Sequence, residues 1–168
     1  MTQLKTLGPT DLQAYMRAQE IPGEILRLEM PTPTVEAAAR AVGTDPDHIV
    51  KSILFMVNGK PALTISCGPS HVDRRTLAAY YNVGRKRVKL ASPETVRQES
   101  GYEVGAMPPF GHRYALPTLM DLRVLEKDSV YAGGGADNTL VRLSPQDIMR
   151  VTQAEIMDLL TPPNEQTN

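Results

Sequence analysis

Cysteine is almost missing from this 168-residue chain; Cys67 stands alone, so no disulfide can form within it. The opening MTQLKTLGPTDLQ contains no apolar signal core, and no apolar run reaches the ~20 residues that a membrane-spanning helix needs. Both absences lead us to expect a soluble protein of the reducing cytoplasm, with no membrane partner. An excess of one charge is missing too. With 18 Lys and Arg against 19 Asp and Glu the net charge is −1. No global basic field therefore draws in nucleic acid, and any such partner must be held by a local patch. Several chemical signatures are absent as well. There is no G-x-S-x-G elbow, and no C-x-x-C or H-x-x-x-H pair joins Cys67, His71, His48 and His112 into a zinc site. The run Gly133-Gly134-Gly135 fails the G-x-G-x-x-G spacing and precedes a strand pattern, so it reads as a hairpin loop. Covalent catalysis, a metal and a dinucleotide cofactor thus have no support in the sequence.

What is present is a chain of one-domain size with 41% apolar residues, enough for a real core. We expect one domain over residues 1–160 and a frayed tail, TPPNEQTN, over 161–168. The spacing of Thr10 and Gln13 predicts a capped helix to about Glu20. A strand follows over Glu24–Met30, then an alanine-rich helix over Val35–Val42 closed by Gly43. Ile49–Val57 and Pro61–Ser66 flank Asn58-Gly59, the clearest hairpin. Asp73 caps a third helix that stops by Gly84, Arg87–Leu90 reads as a short strand, and Ser92-Pro93 opens a helix ending at Gly101. Pro117–Leu122, Ser129–Gly133 and Thr139–Leu143 read as strands. Ser144-Pro145 and Thr152-x-x-Glu155 then predict two closing helices. The mixture implies an α/β domain with a mixed sheet.

Three constellations carry candidate chemistry. The stretch Gly101 to Gly111, GYEVGAMPPFG, holds three glycines and two prolines in eleven residues. Such a loop fixes a backbone shape and leaves amides free to meet a carbonyl, a developing oxyanion or a phosphate, although a rigid surface turn is the plainer reading. Lys51 interrupts the apolar strand IVKSILF on the face of Ile53 and Phe55. It either snorkels at a sheet end, the commoner outcome, or meets an anion in a polar pocket. From Arg74 to Lys89 the chain has six basic residues and no acidic one. On a strand, Arg85, Arg87 and Lys89 would share a face suited to phosphates, with Tyr80 and Tyr81 beside it; a solvated charged face is the bland alternative. Asp121 ends an apolar run, as a strand-end cap or a site carboxylate.

Taken in order, HIVKSILF, VDRRTLAAYYNVG, GYEVGAMPPFGHRYALPTLMD and VYAGGGADNTLVRLSPQDIMRVTQAEI resemble the YbaK family, the prolyl-tRNA synthetase-associated editing domains that deacylate aminoacyl-tRNA. The resemblance covers about Glu36 to Leu159. It implies a single compact domain with a barrel-like mixed sheet surrounded by helices. It also implies an enzyme that hydrolyses, in trans and with no cofactor or metal, the ester of a wrong amino acid on tRNA. Lys51 falls at the family's strand lysine, expected to meet the phosphate or ribose of the acceptor end. Gly105 falls at the head of the G-x-x-x-P loop, whose amides would hold the aminoacyl carbonyl toward water while a tRNA ribose hydroxyl organises it. The pocket implied comprises Ser52, Ala106, Met107, Pro108, Pro109, Asp121, Gly134, Asp137 and Asn138. Arg74, Arg85, Arg87 and Lys89 would touch tRNA, and a synthetase is a further implied partner; DNA is not. The chain departs from some bacterial relatives in having Leu140 where they carry a carboxylate. Alanine, serine, threonine and cysteine remain as candidate amino acids. The rivals are a module that binds the acceptor end without hydrolysis, and a hydrolase of another small aminoacyl ester.

Overall fold

The computed structural model describes residues 4–161. The expected tail therefore lies outside the described residues except for Thr161, whose amide donates to the His71 carbonyl at 2.9 Å. Helices begin where short polar side chains or proline dispose of orphan amides. Thr34, Asp73, Ser92 and Ser144 cap α2 (Val35–Val42), α3 (Arg74–Tyr81), α4 (Pro93–Ser100) and α5 (Pro145–Thr152) through side-chain oxygens. The first helix differs from its predicted start. α1 runs Pro9–Ala18, and the Asp11 carboxylate accepts the Gly8 amide at 2.9 Å, so neither Thr10 nor Gln13 forms the cap. Gly43 and Gly101 close α2 and α4 at φ 71° and 88°, as glycines past a helix end should.

Two sheets follow from the strand patterns. β1 (Glu24–Arg27), β7 (Thr139–Leu143) and β6 (Val130–Gly133) form an antiparallel sheet in the order β1-β7-β6. The second sheet joins β2 (Val50–Val57), β3 (Lys60–Cys67), β4 (Val88–Leu90), β5 (Thr118–Asp121) and β8 (Glu155–Met157) in the order β4-β2-β3-β5-β8. It is mixed, with β3–β5 and β5–β8 parallel. The β2–β3 hairpin turns at Asn58 and Gly59, both at positive φ, which is the type I′ geometry that Asn-Gly favours. β4 covers only Phe55–Val57 of β2, while Ile49 bridges in parallel to Tyr131 of β6. The two sheets thus meet along one edge of β2 and wrap into a barrel-like whole. Residues 50–53 are left with no strand on that edge among the described residues.

Alternate residues of β2 feed different cores. Val50 and Leu54 pack with Leu63, Ile65, Met120 and Val141 in the main core, whereas Phe55 and Val57 join Leu77, Leu119 and Leu159 beneath α3. Two further sequence expectations fail. Arg85–Arg87 is a 3-10 turn before β4, so Arg85, Arg87 and Lys89 do not share a strand face. Thr152-x-x-Glu155 does not open a helix. Thr152 ends α5, Gln153 turns left-handed at φ 53°, and Glu155 begins β8, whose Ile156 pairs with Met120. Pairing with a sheet edge overrides a local capping pattern.

Candidate active site

The open edge of β2 faces a cavity of about 400 Å³. Residues 50–54 form one wall, Gly105 and Met107 another, and Ala132, Gly133 and Leu140 a third. Thr32–Val35 ahead of α2, and Leu90 with Val96, complete it. Lys51 is the one charged residue in the lining, and most of the rest is apolar. Its ammonium is half-buried and donates to the Ser70 carbonyl at 2.8 Å. Among the described residues it has no carboxylate partner. Burial lowers its pKa from the ordinary lysine value, and nearby Cys67 and Glu36 oppose that shift. An ammonium has three donors, so two remain for a ligand oxygen.

The Gly101–Gly111 loop is held from several sides. Tyr15 of α1 stacks on Phe110 with ring centroids 5.5 Å apart, and His112 Nε2 lies 2.7 Å from the Pro108 carbonyl. A carbonyl only accepts, so that nitrogen carries the proton; burial lowers the His112 pKa and favours the neutral ring. The Ala106 amide donates to Glu103 O at 3.1 Å, and the Ala106 carbonyl accepts from Gly135 N at 2.9 Å. Pro108 and Pro109 have no N–H to give. The amides of Gly105 and Met107 have no acceptor among the described residues, and both residues line the cavity. Gly105 sits at φ 83° in open space. Free, fixed amides in the same cavity as a half-buried cation are the parts needed to bind an ester carbonyl and stabilise an oxyanion.

The cavity brings together Lys51, Ser52, Gly105 and Met107 of the predicted set. Ala106, Pro108, Pro109, Gly134, Asp137 and Asn138 lie outside its lining but support it. Gly134 N bonds Thr139 O at 2.9 Å, while the Asp137 carbonyl accepts Thr32 N and Asn138 bonds Leu28 through its carbonyl and its side chain. These bonds fix the segment that leads from β1 to the Thr32–Val35 wall. Asp121 is fully buried and away from the cavity. Its carboxylate accepts the amides of Arg123 and Leu159, at 2.9 Å and 2.8 Å, and pairs with the Arg123 guanidinium. That is a strand-end cap. Asp121→Ala is expected to cost about 3 kcal/mol in urea unfolding, from orphaned amides and a broken ion pair. An unchanged urea midpoint with lost turnover would instead make Asp121 a site residue.

Arg74, Arg85 and Lys89 line a second depression together with Lys86 and Val88, while Arg87 is not part of it. Arg74 also lies over the Phe55 ring at 5.8 Å. Neighbouring residues of β4 line the two hollows, Leu90 the first and Val88 and Lys89 the second. Cys67, buried beside Lys51, has its thiol pushed up to about 11, mainly by desolvation and then by Asp121. It is protonated at neutral pH and no nucleophile. Sequence reasoning missed the open β2 edge and the importance of Gly133. A Cβ there would stand 2.6 Å from Met107 O and 3.0 Å from Ala106 O, so Gly133 is the seat on which the loop rests. Its signal was a glycine inside a strand pattern, which marks close backbone approach.

A family model described as the aminoacyl-tRNA editing domain matches residues 29–151. The chain is 28% identical over 128 residues to the multifunctional Ser/Thr-tRNA deacylase ProXp-y of Escherichia coli K12, covering 73% of this chain and 75% of that protein. It is 33% identical over 117 residues to a proline–tRNA ligase of Maridesulfovibrio salexigens, covering 68% of this chain but 20% of the ligase. A crystal structure described as a candidate trans-editing enzyme for prolyl-tRNA synthetase superposes with a TM-score of 0.83 at 27% identity, over 92% of this chain and 97% of that one.

Proposed function

The chain belongs to the aminoacyl-tRNA editing domain family, and from that premise we propose that it is a trans-acting deacylase. In this reading it hydrolyses, in the cytoplasm, the ester of tRNA mischarged with a small amino acid such as alanine, serine, threonine or cysteine. The observation that carries the reading is the meeting, in one mostly apolar cavity, of the Lys51 ammonium with the free amides of Gly105 and Met107. Lys51 anchors a phosphate or ribose oxygen of the acceptor end, and the two amides hold the ester carbonyl and take up charge as water attacks. An aminoacyl ester is already activated, so orientation and oxyanion stabilisation supply the rate without a protein nucleophile. Leu140 brings no carboxylate to the cavity, and by the family resemblance a ribose hydroxyl of the tRNA helps to organise the attacking water.

In this reading the basic depression, lined by the β4 residues next to Leu90, receives the RNA backbone. Likeness to part of a proline–tRNA ligase supports a synthetase as the source of the mischarged tRNA. Deacylation of tRNAs charged with alanine, serine, threonine, cysteine and proline tests the reading; turnover on one or two of them supports it. Tight tRNA binding without turnover would favour the acceptor-end binding module, for which the apolar Leu140 position is the motive. For RNA engagement, Arg85→Glu with Lys89→Glu is expected to flatten the dependence of log K on log salt by roughly 0.7 for each phosphate no longer neutralised. An unchanged slope would leave the depression without an RNA role and favour a small-ester hydrolase.

A further inference from the structure

Two of the hydroxyls that line the cavity are already committed. Thr34 Oγ1 accepts the Ala37 amide at 3.0 Å, and Thr139 Oγ1 donates to Asn138 Oδ1 at 3.2 Å. Ser52 differs, for its Oγ is shielded from solvent and finds no hydrogen-bond partner among the described residues. A hydroxyl desolvated in this way is costly unless a ligand completes it. Ser52 also occupies a special place on β2. Ala91 N donates to Leu54 O, and Asn58 N to Arg87 O, so the even-numbered residues of this strand turn their main chain toward β4. Ser52 turns the same way, beyond the end of β4 and short of the Ile49–Tyr131 bridge. Its main-chain N–H and C=O therefore border the cavity at the open edge, next to Lys51. Rotation about one bond carries the hydroxyl between staggered positions at that wall.

We propose that Ser52 reads the aminoacyl side chain, and that the site prefers amino acids with a β-hydroxyl, serine and threonine, over alanine. The preference rests on the deacylase reading for its substrates, while the hydroxyl contact belongs to binding and can be measured without turnover. An alanyl group leaves the Ser52 hydroxyl unmatched in an apolar hollow, whereas a seryl or threonyl hydroxyl satisfies it. Discrimination by matching a buried polar group adds to what side-chain volume gives.

The test compares seryl and alanyl substrates in two ways. One is kcat/KM on seryl- and alanyl-tRNA; the other is calorimetric binding of the 3′-amide-linked seryl and alanyl adenosines, which are not esters and do not turn over. Wild type is expected to favour seryl about tenfold, Ser52→Ala to bring the ratio close to one, and Ser52→Thr, which keeps the hydroxyl, to preserve it. Ser52→Ala breaks no bond of the free protein, so its melting temperature should equal or exceed that of wild type; a fall would mean a structural role. A wild-type ratio near one, or one that Ser52→Ala leaves unmoved, overturns the proposal. Selective binding of the seryl amide without hydrolysis of either ester would sink the deacylase reading and leave the Ser52 assignment standing. Hydrolysis of both esters at an unaltered ratio would do the reverse, and binding of neither amide analogue would overturn this inference.

Discussion

Lys51→Met is expected to lower kcat/KM for the proposed deacylation by roughly 10- to 150-fold while leaving the fold intact. The size follows from removing a charge-assisted hydrogen bond of about 1.5–3 kcal/mol to an oxygen of the acceptor end. The fold survives because, among the described residues, the ammonium holds only the Ser70 carbonyl and stands half-buried without a carboxylate. Methionine keeps the stem and discards a desolvated charge, so the melting temperature should stay level or rise. An anchor on a phosphate acts equally in ground and transition states, and its loss falls on KM. Steady-state kinetics with thermal melts settles the matter. Wild-type kcat/KM in the methionine variant would remove Lys51 from the site.

Gly133→Ala is expected to reduce kcat about 100-fold by unseating the loop that carries the free amides. The added methyl would stand 2.6 Å from Met107 O and 3.0 Å from Ala106 O. Backbone carbonyls cannot rotate aside as a side-chain end can, so the loop itself must shift. Displacing an oxyanion donor by about 1 Å, or losing one, costs on the order of 100-fold. The overpacking should also cost roughly 1–3 kcal/mol of stability. Gly105→Ala makes the useful contrast, because the space there is open and only its φ of 83° is unfavourable. A milder kinetic loss at Gly105 than at Gly133 would show that the loop's seating matters more than local strain. Full activity in Gly133→Ala would mean that the Gly105 and Met107 amides do not hold the reacting carbonyl.

Local chemistry makes much of this molecule readable. Asn58-Gly59 announces its hairpin because few other pairs accept two positive φ values, and Thr34, Asp73, Ser92 and Ser144 announce helix starts because each side chain bonds a nearby amide. Lys51 and the glycine-proline loop stand out because a cation in an apolar strand and a run of glycine with proline each demand a reason. Pairing over long separations is invisible. Nothing near Glu155 tells that Ile156 will run parallel to Met120, so a capping-box spacing reads there as a helix. The stop of β4 at Leu90, which bares the β2 edge, is likewise set by where α4 begins and not by β2 itself. The same blindness puts Gly134 rather than Gly133 in the expected pocket, since which glycine meets the Ala106–Met107 backbone depends on the register of β6 against β7.

The most direct measurement is the single-turnover release of amino acid from seryl-tRNA with excess protein, wild type beside Lys51→Met. The account predicts release by wild type well above the spontaneous rate and a loss of most of that excess at subsaturating Lys51→Met. Release by wild type no faster than in buffer, for seryl-tRNA and for every other small aminoacyl-tRNA tried, would contradict it.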